Sequence, residues 1–200
     1  MTYAIIGFGA VGQALARMFA RKGIDVAVAS RRLPEALAPA AQAIGPTVTP
    51  KPLEEALKAD TVLLAVPFSE HRELIGAANW QGKVVIDVTN AFGVPVEELD
   101  GLPSSAVIAR ALPGALVVKA FNHLPAATLA ADPDVNGGRR VVFVSSDDEE
   151  ATGLVAALAE QLGFAPVKLG TLAEGGALVQ ARGRSWAPLI FQDLVKFASK

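Results

Sequence analysis

Cysteine is absent from this 200-residue chain, and there are only two histidines, His71 and His123, and one tyrosine, Tyr3. Without thiols there is no disulfide, no thiolate nucleophile and no Cys-ligated zinc. Two histidines are too few for a His-rich metal site. Charge is also sparse. Charged residues make up 19%, the net charge is −2 and the pI about 5.7, so no basic face is offered to nucleic acid. No stretch reaches the roughly 18 apolar residues of a membrane span. Residues 1–16 carry no charge, but they lack the basic start of a secretory signal and are interrupted by glycines. The uncharged run from Ala36 to Pro50 is broken by Pro39, Gly45 and Pro46. A soluble cytoplasmic protein is the expectation. What is plentiful is apolar surface: 52% hydrophobic residues can fill the core of one large domain, with or without a small appendage.

The front of the chain organises the rest. Tyr3-Ala4-Ile5-Ile6 runs into Gly7-Phe8-Gly9-Ala10-Val11-Gly12, and apolar residues at helical spacing follow. A G-x-G-x-x-G between a strand and a helix is the dinucleotide fingerprint. Gly7 permits the tight turn, Gly9 lets backbone approach a pyrophosphate, and Gly12 lets helix and strand pack closely. The helix start then offers N–H groups and partial positive charge to phosphate. A glycine turn without a ligand is the plainer alternative.

The next strand, Ile24 to Ala29, ends in Ser30-Arg31-Arg32, 18 residues after Gly12. NAD sites place a carboxylate in this zone to hold the ribose hydroxyls. Here there is none. A serine and two guanidinium groups suit a 2′-phosphate instead. At about 1.5–3 kcal/mol per charge-assisted bond, two such bonds would favour NADP(H) over NAD(H) by roughly 10²–10⁴-fold. The alternative is a solvated arginine pair on a loop.

Further strands are predicted at 47–49, 61–66, 83–88, 115–119 and 140–144, with an edge strand at 165–169, where Pro166 disfavours a central position. Helices are predicted after Pro34, at 52–58, at 147–162 and at 185–200. Strands alternating with helices imply an α/β fold with a doubly wound, mostly parallel sheet of the Rossmann type over residues 1–170. Residues 171–200 form a small C-terminal helical extension, packed on the same domain or on a partner subunit. Gly175-Gly176 and Gly183 read as hinge-like. Asp132-Pro133-Asp134 and Gly137-Gly138 read as an exposed turn.

Several segments together resemble a known family: Gly7 to Gly12, Ser30-Arg31-Arg32, Ala65-Val66-Pro67, Asp87-Val88-Thr89-Asn90, Lys119-Ala120-Phe121-Asn122, and Leu162-Gly163-Phe164 with Leu169-Gly170. The chain is similar to the NADP oxidoreductases dependent on the deazaflavin coenzyme F-420, and to the reductase domain of membrane metalloreductases. The resemblance implies NADP(H) with its pyrophosphate on Gly9 to Gly12 and its 2′-phosphate on Ser30, Arg31 and Arg32. It places the nicotinamide near Ala65, Val66, Pro67, Asn90, Phe121 and Asn122. It implies a homodimer, and a deazaflavin, a flavin or another flat molecule as the redox acceptor.

The residue inventory is compatible with that chemistry. Carbonyl reduction needs a positioned proton donor. The Tyr-x-x-x-Lys pair of short-chain dehydrogenases is excluded, because Gly7 stands four residues after Tyr3. About thirty residues follow Gly170, fewer than the helical domain that hydroxy-acid and imine reductases add. Hydride exchange between two flat rings asks mainly for alignment. No catalytic side chain is assigned. Asn122 either pairs with the carboxamide or closes a strand-end turn. Phe121 is either a ring-stacking wall or core. His123 either hydrogen-bonds the acceptor or caps a loop. His71 and Lys119 are expected at the surface. Trp80 and Trp186 read as packing residues, with Trp186 alternatively bordering a substrate cleft. Trp186, Leu189, Ile190, Leu194 and Phe197 fall at helical spacing and give the homodimer expectation a surface. Two rival functions stay open: a non-catalytic NADP(H)-binding redox sensor, separated by binding without turnover, and a small imine or carbonyl reductase with His123 as its proton donor.

Overall fold

Runs of apolar residues buried on both sides become the parallel strands β1 (Tyr3–Ile6), β2 (Val26–Ala29), β4 (Thr61–Leu64), β5 (Val84–Asp87) and β6 (Leu116–Ala120), and the more exposed β3 (Val48–Pro50) pairs at the edge. The computed structural model describes residues 1–182, 185–186 and 188–198. The six strands pair in the order β3-β2-β1-β4-β5-β6. This is the doubly wound order, and the direction of winding reverses between β1 and β4. Helix α1 (Ala10–Arg21) buries Leu15, Met18 and Phe19, each worth about 1.5–3 kcal/mol. It shares one face of the sheet with α2 (Pro34–Ile44), and with Ile5, Leu63, Ile86 and Val118 from the strands. The short α3 (Leu53–Ala56), a 3₁₀ turn at Phe68–Leu74 and α4 (Ser104–Ala111) cover the opposite face over Val62, Val85 and Val117. Among the described residues, no helix is long and apolar enough to cross a membrane.

After α5 (Ala126–Ala130), the strands β7 (Asp134–Val135) and β8 (Gly138–Ser146) form a hairpin. Asn136 and Gly137 both have positive φ, the turn that matches strand twist. β8 runs antiparallel to β6. α6 (Glu149–Gln161) then leads to β9 (Ala165–Lys168), which pairs parallel with β8 alone and so tolerates Pro166.

Four expectations need correction. The helix predicted over 185–200 does not form. β10 (Ala181–Arg182) pairs with β11 (Ser185–Trp186), a turn follows, and β12 (Val195–Lys196) pairs with β8. Phe191 at φ 59 interrupts any helix there, and Arg140 grips Asp193 through two bonds of 2.6 and 3.2 Å. The helical face that supported the homodimer expectation therefore does not exist. Among the described residues, the extension is helical only over the π-type turn Leu172–Gly176 and the two residues that follow it. Gly175 and Gly176 are buried within that turn rather than hinges; a Cβ on Gly175 would lie 2.3 Å from the Leu169 Cβ. His71 and Lys119 are both buried, not surface residues. The His71 ring lies 4.8 Å from that of Phe68, with Nδ1 bonded to the Phe68 carbonyl. Gly183, expected to be hinge-like, and the side chain of Trp186, expected to pack or to border a cleft, lie outside what is described.

Candidate functional site

Where the strand order reverses, chain ends diverge and leave a crevice at the carboxyl edge of the sheet. A cleft of about 490 Å³ occupies that place. Gly7, Phe8 and Gly9 after β1, Ser30, Arg31 and Arg32 after β2, and Ala65, Val66 and Pro67 after β4 all line it. Three separately predicted segments thus meet at one site. A larger depression of about 890 Å³, lined by Leu57, Lys58, Asp60 and Lys83, contains none of them.

The three glycines are not equivalent. Gly7 has φ +99, and a Cβ there would lie 2.4 Å from the Ala65 carbonyl oxygen. A Cβ on Gly12 would lie 1.9 Å from the Gly7 carbonyl oxygen. Both are therefore required by the turn and by the helix packing on it. A Cβ on Gly9 would meet nothing within 4 Å. The fold does not need that glycine, and the space it leaves is where a phosphate would pass.

The start of α1 tests whether a dinucleotide fits. Gly9 provides no side-chain cap, and the first turn contains no acid. α6 is the contrast: Asp148 accepts from the Ala151 N–H at 2.7 Å, and Glu149 and Glu150 follow. Helix starts leave N–H groups in need of an acceptor. α6 meets that need internally, whereas α1, with Ala10, Val11 and Gly12 in its first turn, has neither a side-chain cap nor a first-turn acid. The residues fit a pyrophosphate.

On the far wall, the Ser30 hydroxyl accepts the Arg32 N–H at 3.1 Å and fixes the turn. Arg31 and Arg32 are exposed. Arg31, though 70% exposed at its side chain, is paired. Its Nη2 donates to Glu70 Oε1 at 2.8 Å, and its Nη1 lies 3.9 Å from Glu73 Oε1. Both acids line the cleft opposite the arginines. Sequence reading missed them, because nothing local to 68–74 says that this turn faces the end of β2.

Asn90, Phe121 and Asn122 lie beyond the cleft, at the ends of β5 and β6. Asn90 is half-buried; its amide donates to the Asn122 carbonyl at 2.8 Å. Asn122 spends its amide donors on Asn90 Oδ1 and the Val179 carbonyl. Its nitrogen thus serves a strand-end fastening, while its Oδ1 has no hydrogen-bond partner among the described residues. Phe121 is fully buried at φ 60, its ring edge-on to Phe164, so it presents no stacking wall. His123 is buried against Phe143. Burial lowers its imidazole to about 4, partly offset by the nearby Val141 backbone and the Asp193 charge, so the ring is neutral at pH 7.

Beneath this edge lies a polar network that sequence reading also missed. Lys119 Nζ donates to Asp87 Oδ2 at 3.0 Å and to the Thr89 carbonyl at 2.5 Å. Ser105 Oγ donates to Asp87 Oδ2 at 2.5 Å, and the Thr89 N–H to Oδ1 at 2.9 Å. Lys119 and Asp87 are both 0% exposed. Burial pulls the ammonium below the ordinary lysine range, and the Asp87 charge offsets part of that pull. The network fixes Thr89, and with it the approach to Asn90.

With this geometry established, comparisons bear on identity. Residues 2–91 match the family model described as NADP oxidoreductase, coenzyme F420-dependent. Metalloreductase STEAP3 of Rattus norvegicus is 32% identical over 172 residues, covering 84% of this chain and 34% of that protein. The chain thus spans about a third of the length of the curated relatives it matches. Among solved structures, hypothetical protein SMa0349 from Sinorhizobium meliloti superposes with a TM-score of 0.90 at 43% identity, over 98% of this chain and 96% of that one. The structure named "putative f420 dependent nadp-reductase" from Arthrobacter sp. FB24 gives 0.70 at 28% identity, over 86% of both chains.

Proposed function

We propose that this chain, which matches the coenzyme F420-dependent NADP oxidoreductase family model over residues 2–91, binds NADP(H) along the carboxyl edge of its sheet and serves hydride exchange with a deazaflavin or flavin acceptor. One observation carries the reading: the uncapped glycine turn and Ser30-Arg31-Arg32 share the cleft at the strand-order reversal. When bound, NADPH supplies the hydride. The chain's own residues bind and orient. The α1 start and Gly9 receive the pyrophosphate. Ser30, Arg31 and Arg32 receive the 2′-phosphate with charge-assisted bonds. Val66 and Pro67 present an apolar wall that excludes water. Asn90, held by Asn122 and the Ala181 N–H, fixes the nicotinamide end.

Fluorescence titration with NADPH and NADH, followed by NADPH absorbance with deazaflavin, FMN, FAD and ferric chelates, tests this. Tighter binding of NADPH and turnover with at least one acceptor are expected. Arg31→Ala should weaken NADPH by about tenfold while sparing NADH. Binding without turnover across the panel would favour the redox sensor instead.

A further inference from the structure

Arg31 reaches across the mouth of the cleft and is already paired. Its two terminal nitrogens face Glu70 at 2.8 Å and Glu73 at 3.9 Å. These acids are three residues apart on a 3₁₀ turn, where positions i and i+3 stack on one side. The turn itself is anchored. Phe68, His71 and Leu74 are buried beneath it, and His71 Nδ1 bonds the Phe68 carbonyl. Glu70 is only 24% exposed at its side chain, while Arg31 is 70% exposed. Glu70 is therefore the confined partner, whereas Glu73, 60% exposed, and the guanidinium both stand in solvent. Two carboxylates around one guanidinium fork offer the same charge and acceptors as a phosphate dianion.

We propose that Glu70, supported by Glu73, is a built-in competitor for the coenzyme's 2′-phosphate. It holds Arg31 in the ligand-free protein and must release it when NADP(H) binds, so it is a specificity-determining residue that sets NADPH affinity. This rests on the NADP(H) reading of the cleft. The latch also filters anions. A free phosphate must displace Glu70 by itself, whereas the dinucleotide has its pyrophosphate and adenosine contacts to offset the exchange. An exposed pair of this kind is weak, which lets the coenzyme open it.

The test is a thermodynamic cycle of NADPH and NADH dissociation constants for the full chain, Glu70→Gln, Arg31→Ala and the double variant. Glu70→Gln should tighten NADPH by about two- to fivefold and leave NADH nearly unchanged. Glu70→Ala, which removes the acceptor altogether, should do at least as much. On the Arg31→Ala background the gain should vanish. Unchanged or weaker NADPH binding in both Glu70 variants would overturn the latch, with Arg31 then staying on Glu70 in the complex. A gain that persists in full without Arg31 would overturn it too, in favour of plain charge repulsion. If the unaltered protein binds neither coenzyme, the NADP(H) reading fails first and takes the latch with it. If it binds NADPH and loses it on Arg31→Ala, that reading stands whatever Glu70 does.

Discussion

Replacing Lys119 with methionine should unfold this protein far more readily than any surface change. The side chain is 0% exposed, and its ammonium is the countercharge to an Asp87 carboxylate that is also 0% exposed. Methionine keeps most of the volume and removes the charge. Asp87 would then keep the Ser105 hydroxyl and the Thr89 N–H but lose its only cationic partner among the described residues. Breaking a buried pair from one side costs about 3–5 kcal/mol. A domain of this size has roughly 5–15 kcal/mol in all. The loss corresponds to a fall in Tm of about 6–20 °C. Urea denaturation followed by the fluorescence of the buried Trp80 would measure it, with the slope checked for two-state behaviour. Replacing both partners, Asp87→Leu with Lys119→Met, should recover part of the loss, because no buried charge remains. The Ser105 hydroxyl, the Thr89 N–H and the Thr89 carbonyl would each lose a partner, at about 1–3 kcal/mol apiece, which limits the recovery. A Lys119→Met variant within about 1 kcal/mol of the unaltered protein would refute the reasoning.

Two further outcomes follow from the same geometry. Gly9→Ala should keep stability within about 1 kcal/mol but abolish NADPH binding, whereas Gly12→Ala should cost about 3 kcal/mol, since its Cβ collides with the Gly7 carbonyl; melting curves and coenzyme titration separate the two. His123, lowered to about 4 by burial, binds its proton more weakly folded than unfolded, where its pKa is near 6.5. Its contribution is therefore complete above pH ~6.5 and is lost at about 1.4 kcal/mol per pH unit as pH falls toward 4. His123→Asn should flatten that part of the stability–pH curve measured by urea unfolding.

Much of the fold was legible because the signals are local. Gly7, Gly9 and Gly12 mark a turn between a strand and a helix, and apolar runs such as Thr61–Leu64 suit strands buried on both faces. The C-terminal stretch was misread for a physical reason. Leu189, Ile190, Leu194 and Phe197 do recur at helical spacing, but a left-handed Phe191 and pairing with β8 override the periodicity. Phe121 and Asn122 lie at the predicted strand end, yet burial turns their side chains to packing and fastening.

By itself, the sequence determined the alternation of strands and helices, the glycine turn between the first strand and helix, and a guanidinium pair where NAD sites carry an acid. Each depends on neighbours within a few residues, through backbone sterics, helix ends and period. Tertiary structure alone decided that Glu70 would face Arg31 and that Lys119 would be buried against Asp87. Those partners stand 39 and 32 residues apart. Strand order, not sequence distance, sets which charges meet, and the energy of a charge depends on what surrounds it.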